Sequence, residues 1–413
     1  MAKPTKVVVA LLGARMHYAV PRLLERAGVL ARFFTDICGN GAAGHALRLV
    51  PRGLRPRGLT ALLQRVPEEL PESRVVGFDR FGLEYARRRH WARTPTALTE
   101  AHLWAGRTFC SLILRHGLGD ADAVYAFNSA ALELLRAARQ RGLRAFLEQT
   151  IAPRAAENRI LAEERTRWPG WEAENGDDAA AEDFAERERD EWAAAQVVVC
   201  GSDFVRQSIS ECQGPTEKCV VVPYGVDLRP IARPRRARAG PLRVLTVGAV
   251  GLRKGSPYVL EAARRLSGIA TFRMAGPVGV PKPVERDLRG ALDLVGPVPR
   301  QSIGEHYAWA DVMLLPSLCE GSATVTYEAL AHGLPVICTP NAGSIVRDGE
   351  EGFIVGIADV EAIAAKIEKL ATDRQLLDVM SASALRRARF GSLEGYGERL
   401  IRALTADLPD GRS

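Results

Sequence analysis

Apolar positions in this chain fall into short runs rich in β-branched residues, separated by Ala/Leu/Arg/Glu stretches of helical period. That alternation predicts a parallel α/β architecture. Strands are expected over Lys6–Leu12 and Ala31–Thr35, around a helix beginning near Tyr18. A second unit reads as strand Ala123–Phe127, helix Ala130–Arg141 and strand Arg144–Leu147. Strands Gln196–Cys200 and Cys219–Val222 flank a helix over Asp203–Glu211. The stretch Asp227–Pro241, rich in Pro, Arg and Gly, reads as a linker. After it the rhythm restarts, with strands over Arg243–Val247, Thr271–Met274, Asp311–Leu315, Pro335–Cys338 and Gly352–Val355, and Ile357–Thr405 reads as almost wholly helical. Two Rossmann-like units facing each other across a cleft follow, with 1–227 as the first domain and 228–390 as the second. Residues 391–413 are expected to form a last helix. Open α/β sheets bind ligands at the carboxyl ends of their strands, so a ligand between the domains is expected.

With 413 residues, 47% of them apolar, the chain is long enough for two cores, and 6% aromatics leave their filling to aliphatic side chains. No apolar run approaches the ~18–20 residues that span a bilayer, and MAKPTKVVVALLG reads as a buried first strand. Seven scattered cysteines without a C-x-x-C pair argue for a reducing cytoplasm and against a structural zinc site. No metal and no cofactor are expected. Net charge is +7, unevenly spread: Arg48–Arg93 is studded with arginine, and Glu157–Glu191 is acidic. The basic stretch is either a solvated surface or a contact for an anionic membrane; no nucleic-acid motif accompanies it, so no nucleic-acid partner is expected. Trp168–Glu191 breaks the rhythm and reads as an exposed loop followed by a charged helix, with Trp168 and Trp171 as core or acceptor contacts.

The strongest chemical signal is PSLCEGSATVTYEALAHGLPVICTP, Pro316–Pro340. A loop after a strand leads into a helix over Val325–His332 closed by Gly333. Free N–H groups around Ala323, Thr324 and Val325, with the Thr324 hydroxyl, suit a phosphate. Glu320 in the loop and Glu328 one turn into the helix suit sugar hydroxyls at different parts of one ligand, Glu328 deep and Glu320 near the cleft. The plainer reading makes them an ordinary helix acid and a solvated loop acid; His332 reads as structural. A second signal, TVGAVGLRKGSP, ends a strand at Gly248 and presents Arg253 and Lys254 at a strand-to-helix turn, fit for a diphosphate. Alone, such a pair is ordinary surface charge.

Together these segments resemble glycosyltransferase family 4: E-G-S-A-T-V-T-Y-E carries its glutamate–seven residues–glutamate motif. The Lys-Gly loop, LVGPVPRQSIGEHYAWADVMLLPS and TPNAGSIVRDGEEGFIV are similar too. The resemblance implies a GT-B fold, with the last helix at 391–413 packing back on the first domain, and a retaining, metal-independent transferase of the glycogen synthase and mannosyltransferase-like group, taking a nucleotide-diphosphate sugar. It implies that Glu328 holds the ribose, and that Glu320 with the backbone of Gly321 and Ser322 holds the donor sugar. Lys254 would hold the diphosphate, and the base would lie near Val298–Ser302. The acceptor, a saccharide or a lipid-linked one, falls to the first domain, at the cytoplasmic face of the membrane. Two positions depart from the pattern. Ala249 stands where an Arg is common, with Arg253 as candidate replacement. No first-domain His follows the strand ending LEQTIAP, which leaves His17, Tyr18, Gln149 and Thr150 as acceptor-side candidates. A non-hydrolysing nucleotide-sugar epimerase and a non-catalytic partner protein are the alternatives.

Overall fold

The computed structural model describes residues 5–39, 65–67, 69–173, 176–227 and 239–406. Runs such as VVVAL and VMLL are buried along their whole length, as strands covered by helices on both faces require. The first sheet contains β1 (Val7–Leu11), β2 (Leu30–Thr35), β3 (Val75–Gly77), β4 (Ala123–Phe127), β5 (Arg144–Gln149), β6 (Val197–Cys200) and β7 (Cys219–Val221). Its order is β3-β2-β1-β4-β5-β6-β7, all parallel. The second contains β8 (Leu242–Val247), β9 (Ala270–Ala275), β10 (Asp293–Gly296), β11 (Val312–Leu315), β12 (Val336–Cys338) and β13 (Gly352–Ile354), in the parallel order β10-β9-β8-β11-β12-β13. Strand order reverses between β1 and β4 and between β8 and β11. Those switch points open the crevices where ligands sit in such sheets.

Helices α1 (Ala19–Arg26), α2 (Asp79–Trp91), α3 (Pro95–His116), α4 (Leu132–Gln140), α5 (Arg154–Arg167), α6 (Ala181–Ala194) and α7 (Asp203–Glu211) belong to the first half. In the second half lie α8 (Ser256–Arg265), α9 (Lys282–Ala291), α10 (Ile303–Trp309), α11 (Thr324–Ala331), α12 (Val360–Thr372), α13 (Arg374–Ala388) and α14 (Leu393–Thr405). Each sheet is packed on both faces: Val8 and Ala10 of β1 enter one apolar cluster, Val7 and Val9 the other. Leu393, Tyr396, Leu400 and Leu404 of α14 join the first sheet's cluster beside Leu23 and Leu24. The chain thus crosses between halves twice, and the crossings pair: Val226 N–H donates to Gly391 O at 2.9 Å and Leu393 N–H to Val226 O at 3.0 Å.

Several expectations change. The linker's residues 228–238 lie outside the described residues, as do Arg48, Arg52, Arg55 and Arg57 of the basic stretch. Its other arginines are largely paired, Arg65 with Asp36 at 3.1 Å, Arg74 with Glu25 at 2.6 Å, and Arg87 and Arg88 with Glu84. The loop at Trp168–Trp171 is anchored in the second half's core. Trp171 is buried there, and Trp168 stands edge-on to Tyr258 with centroids 5.8 Å apart. The helix after it is not a solvated charged face either. Arg187, Glu188 and Glu191 of α6 are buried, and Glu191 accepts from the backbone N–H groups of Ser129, Ala131 and Leu132 at 2.7, 3.0 and 3.2 Å, capping α4.

Candidate active site

The loops after β8 and β11 are stitched together by backbone and side-chain bonds. Leu318 N–H donates to Arg253 O at 2.9 Å, Asn341 Nδ2 to Leu318 O at 2.8 Å, and Thr339 Oγ1 to Ser317 O at 2.5 Å. Gly248 closes β8 with φ +144, and a Cβ there would lie 2.9 Å from Lys254 Cε. That residue therefore leaves the path along which the lysine stem runs. Lys254 Nζ reaches Glu320 Oε1 at 2.6 Å, and Arg253 Nη1 reaches the same oxygen at 3.0 Å and Cys319 O at 2.8 Å.

The opposite wall comes from the first sheet. Arg15, four residues past the end of β1 at Leu11, donates through Nη2 to Thr150 O at 2.8 Å and to Tyr224 Oη at 3.2 Å. Beneath it, Glu148 accepts from Tyr125 Oη at 2.6 Å and Tyr224 Oη at 2.7 Å, with Arg15 Nε 3.9 Å away. Burial pushes the Glu148 carboxyl up, against the opposing pull of Arg15, and pushes both tyrosines well above their ordinary range. Arg15, Thr150, Arg253, Lys254, Glu320 and Thr324 line one cavity of about 380 Å³. Three cations there face one carboxylate. A second cavity of about 260 Å³ shares Met16 and Thr324 with the first and adds His17, Arg22, Arg300 and Glu328.

At the start of α11 the backbone is only partly available. Ala323 N–H is already given to Ala342 O at 3.0 Å, correcting the expectation of a free group there. The N–H groups of Thr324 and Val325 find no partner among the described residues, so two donors face the cavities. Glu328 Oε2 accepts from Tyr307 Oη at 2.8 Å, and the Tyr307 ring stacks on His332, whose Nδ1 lies 2.8 Å from Glu328 O. Burial and Glu328 together hold the Tyr307 hydroxyl well above its ordinary pKa, so it acts as a donor.

The two acids thus lie at opposite ends of the joined cavities, but the expected depths are reversed. Glu320 is buried at 8% exposure, whereas Glu328 is only partly buried. Glu320 is also ion-paired with Arg253 and Lys254, the two cations expected to hold a diphosphate. Gly321 marks the closest approach of the halves: a Cβ there would sit 1.9 Å from Thr150 O, and its own carbonyl accepts from Ser202 Oγ at 2.5 Å. The Ser322 hydroxyl is turned to Tyr327 Oη at 2.6 Å and Gly343 O at 3.2 Å. Val298 and Val325 pack on the same buried cluster, which includes Tyr307 and Tyr327, and the exposed Arg300 lines the Glu328 cavity.

On the acceptor side the four candidates separate. Thr150 and His17 line the cavities. Tyr18 and Gln149 do not. Tyr18 is buried edge-on to Phe33 at 5.4 Å, and Gln149, wholly buried, bonds Ile151 O, Glu188 and Trp192 Nε1 at 3.1, 3.0 and 2.9 Å. An amide at the end of a strand has a core network to satisfy, and here it satisfies that one. Arg15, Tyr307, Thr339 and Asn341 escaped the sequence reading. Arg15 sits two residues before His17 at the β1 switch point, and Thr339 and Asn341 stand within TPNAGS, so both signals were in view.

Residues 241–373 match the model of a family described as glycosyl transferases group 1. Among curated relatives, the D-inositol 3-phosphate glycosyltransferase of Geodermatophilus obscurus is 32% identical over 240 residues, 52% of this chain and 53% of that protein. The colanic acid biosynthesis glycosyltransferase WcaL of Escherichia coli K12, a putative assignment, is 31% identical over 215 residues, 47% and 51% of the two chains. The chain spans about half the length of these relatives. Among solved structures, the sucrose-phosphate synthase of Thermosynechococcus elongatus superposes with TM-score 0.67 at 15% identity, over 97% of this chain and 98% of that one. Anabaena HepE in complex with UDP and glucose gives 0.60 at 13% identity, over 97% and 99%. The chain has the GT-B fold, and its second half carries the group 1 glycosyl transferase signature.

Proposed function

We propose that the protein is a retaining glycosyltransferase of family 4, moving a sugar, a hexose in this reading, from a nucleotide-diphosphate sugar to an acceptor hydroxyl in polysaccharide or glycolipid synthesis. The observation that carries this reading is the joined cavity, where Arg15 from one half meets Arg253 and Lys254 from the other around the start of α11. Breaking the anomeric bond puts negative charge on the leaving diphosphate, which needs preorganised positive groups. Three cations against Glu320 supply it from side chains, so no metal is required. The entering diphosphate displaces Glu320 from Lys254 and frees that carboxylate for the sugar's hydroxyls. Glu328, held by Tyr307, is set for the ribose hydroxyls. Approach of the acceptor on the leaving-group side lets the departing phosphate take its proton. The relatives named as glycosyltransferases, and the neighbour binding UDP and glucose, support a nucleotide sugar as donor.

The acceptor is assigned to the first half, and a lipid-linked one to the inner membrane surface. No helix among the described residues is long and apolar enough to cross a membrane. Supporting surface contact, α2 exposes Leu83 at 51% and Trp91 at 65% among its arginines. Co-sedimentation with anionic but not neutral vesicles is the expected result; equal, negligible binding removes that part.

For the central reading, the test is transfer from a panel of nucleotide sugars in EDTA. Activity without metal, with retention at the anomeric carbon, is expected. Strict Mg²⁺ dependence would overturn it, and isomerisation of the donor without acceptor would favour an epimerase.

A further inference from the structure

Sharing no lining residue with that cleft, a cavity of about 810 Å³ lies at the amino-terminal end of the first sheet, between the open edge of β7 and the last turns of α14. That lies within the ~300–1,000 Å³ usual for small-molecule sites. One wall is apolar, built from Val197, Val220, Val222 and Ala403; Val220 is 39% exposed although it sits in a strand. The other carries Arg139, Lys218, Arg399 and Arg402, against one acid, Glu217.

Among the described residues no carboxylate lies within ion-pair distance of any of the four cations. Three of them donate to carbonyl oxygen, and Arg399 also lies over the Phe390 ring, 4.1 Å from its centroid, and donates to Phe390 O at 2.8 Å. Arg139 donates to Ala193 O at 3.3 Å, Lys218 to Trp192 O and Ala193 O at 3.2 Å each, and Arg399 to Pro223 O at 3.0 Å and Tyr224 O at 3.2 Å. Carbonyls at a helix end supply only about half a unit of negative charge. Arg399 Nε is buried with no hydrogen-bond partner among the described residues. Burial, and then the neighbouring Arg139, push the Lys218 ammonium below its ordinary pKa. Four cations in this wall thus stand against one lining acid, Glu217, and a set of carbonyl dipoles, so positive charge is in excess.

We infer that this groove binds a single-chain amphiphile with a phosphate monoester head, its acyl chain along the valine wall and its phosphate among Arg139, Lys218, Arg399 and Arg402. A doubly charged, planar-fork-compatible anion answers three guanidinium groups and one ammonium, and a single chain suits a groove walled on one side by aliphatic residues. The site is separate from the nucleotide cleft and stands whether or not the proposed transfer reaction does.

Isothermal titration of the full chain with decyl phosphate, below its micelle concentration, tests it. Saturable one-to-one binding is expected, about tenfold or more tighter than for decan-1-ol and for inorganic phosphate, because charge-assisted bonds and chain burial each contribute. Arg402→Glu and Val220→Asp should each weaken it about tenfold with an unchanged melting temperature, since both side chains reach solvent. Equal binding of decan-1-ol and decyl phosphate, or wild-type affinity in both variants, would overturn the assignment. Binding confined to a chain ending at Ala406 would give the groove to residues 407–413 instead. Self-association abolished by Val220→Asp would give it to a second copy.

Discussion

Gly321→Ala puts the reading of the cleft under direct strain. In the structure a Cβ at this position would lie 1.9 Å from Thr150 O, 2.9 Å from Thr150 C and 3.3 Å from Ile151 Cα. All three are backbone atoms, which cannot swing aside as a side-chain tip does. Reaching an ordinary carbon–oxygen contact of about 3.4 Å demands a separation of roughly 1.5 Å between the halves at this point. The loop from Glu320 to Thr324 would then withdraw from Thr150 and Arg15, and the Ser202–Gly321 bond would break. Misplacement by about 1 Å can cost on the order of a hundredfold in rate, so kcat should fall by about that factor. The clash falls on the small cluster of Ala152, Ala156, Cys319 and Ile151 and on none of the four large cores, so the melting temperature should move by only a few degrees. Donor affinity, resting mainly on the second half, should stay within about threefold, so a KM-against-kcat split separates loss of alignment from loss of fold. The assay is steady-state transfer with donor titration beside calorimetric melting. Wild-type kcat in a folded variant would refute the close approach at Thr150.

Glu328→Ala should weaken nucleotide-sugar binding about ten- to a hundredfold, and Tyr307→Phe by less, since it removes one donor to a charged group; equilibrium dialysis of the donor reads both. Arg15→Ala should lower turnover and also melting temperature, because Glu148 beneath it loses its nearest cation; Arg15→Lys should restore more of the stability than of the turnover. Burial depresses the His102 imidazole from 6.5 to about 4. Its folded form binds fewer protons than the unfolded chain, so its own contribution to stability is full above pH 6.5 and lost as pH falls toward 4. The Glu191 carboxyl, raised to about 7, works in the opposite sense in both chains, so the stability of the wild type relative to His102→Gln in chemical denaturation isolates the histidine and should fall over that window.

The periodicity of the sequence carries the strands well, because fully buried parallel strands read as unbroken aliphatic runs: Ala123–Phe127 and the helix Asp203–Glu211 stand where the pattern puts them. The edge strands β3 and β10 are short and half-exposed, so VVG and DLVG leave no such trace. Glu320, Glu328, Arg253 and Lys254 were legible because their spacing is local, a loop and one helical turn. Arg15 was not, since only the fold of one half against the other brings it within reach of Thr150 and Tyr224. Tyr18 and Gln149 misled for the converse reason. Tyr18 follows β1 and Gln149 ends β5, yet their side chains turn inward, toward Phe33 and toward Glu188 and Trp192. Neither a ring's packing partner nor an amide's hydrogen-bond network is encoded in nearest neighbours.

A calorimetric comparison of nucleoside diphosphates with their monophosphates, on the wild type and on Lys254→Ala, puts the question most plainly. If Arg15, Arg253 and Lys254 hold a diphosphate, at least one diphosphate should bind about tenfold or more tightly than its monophosphate, and the substitution should erase most of that margin. A chain that prefers no diphosphate, or keeps its preference whole without Lys254, contradicts the account.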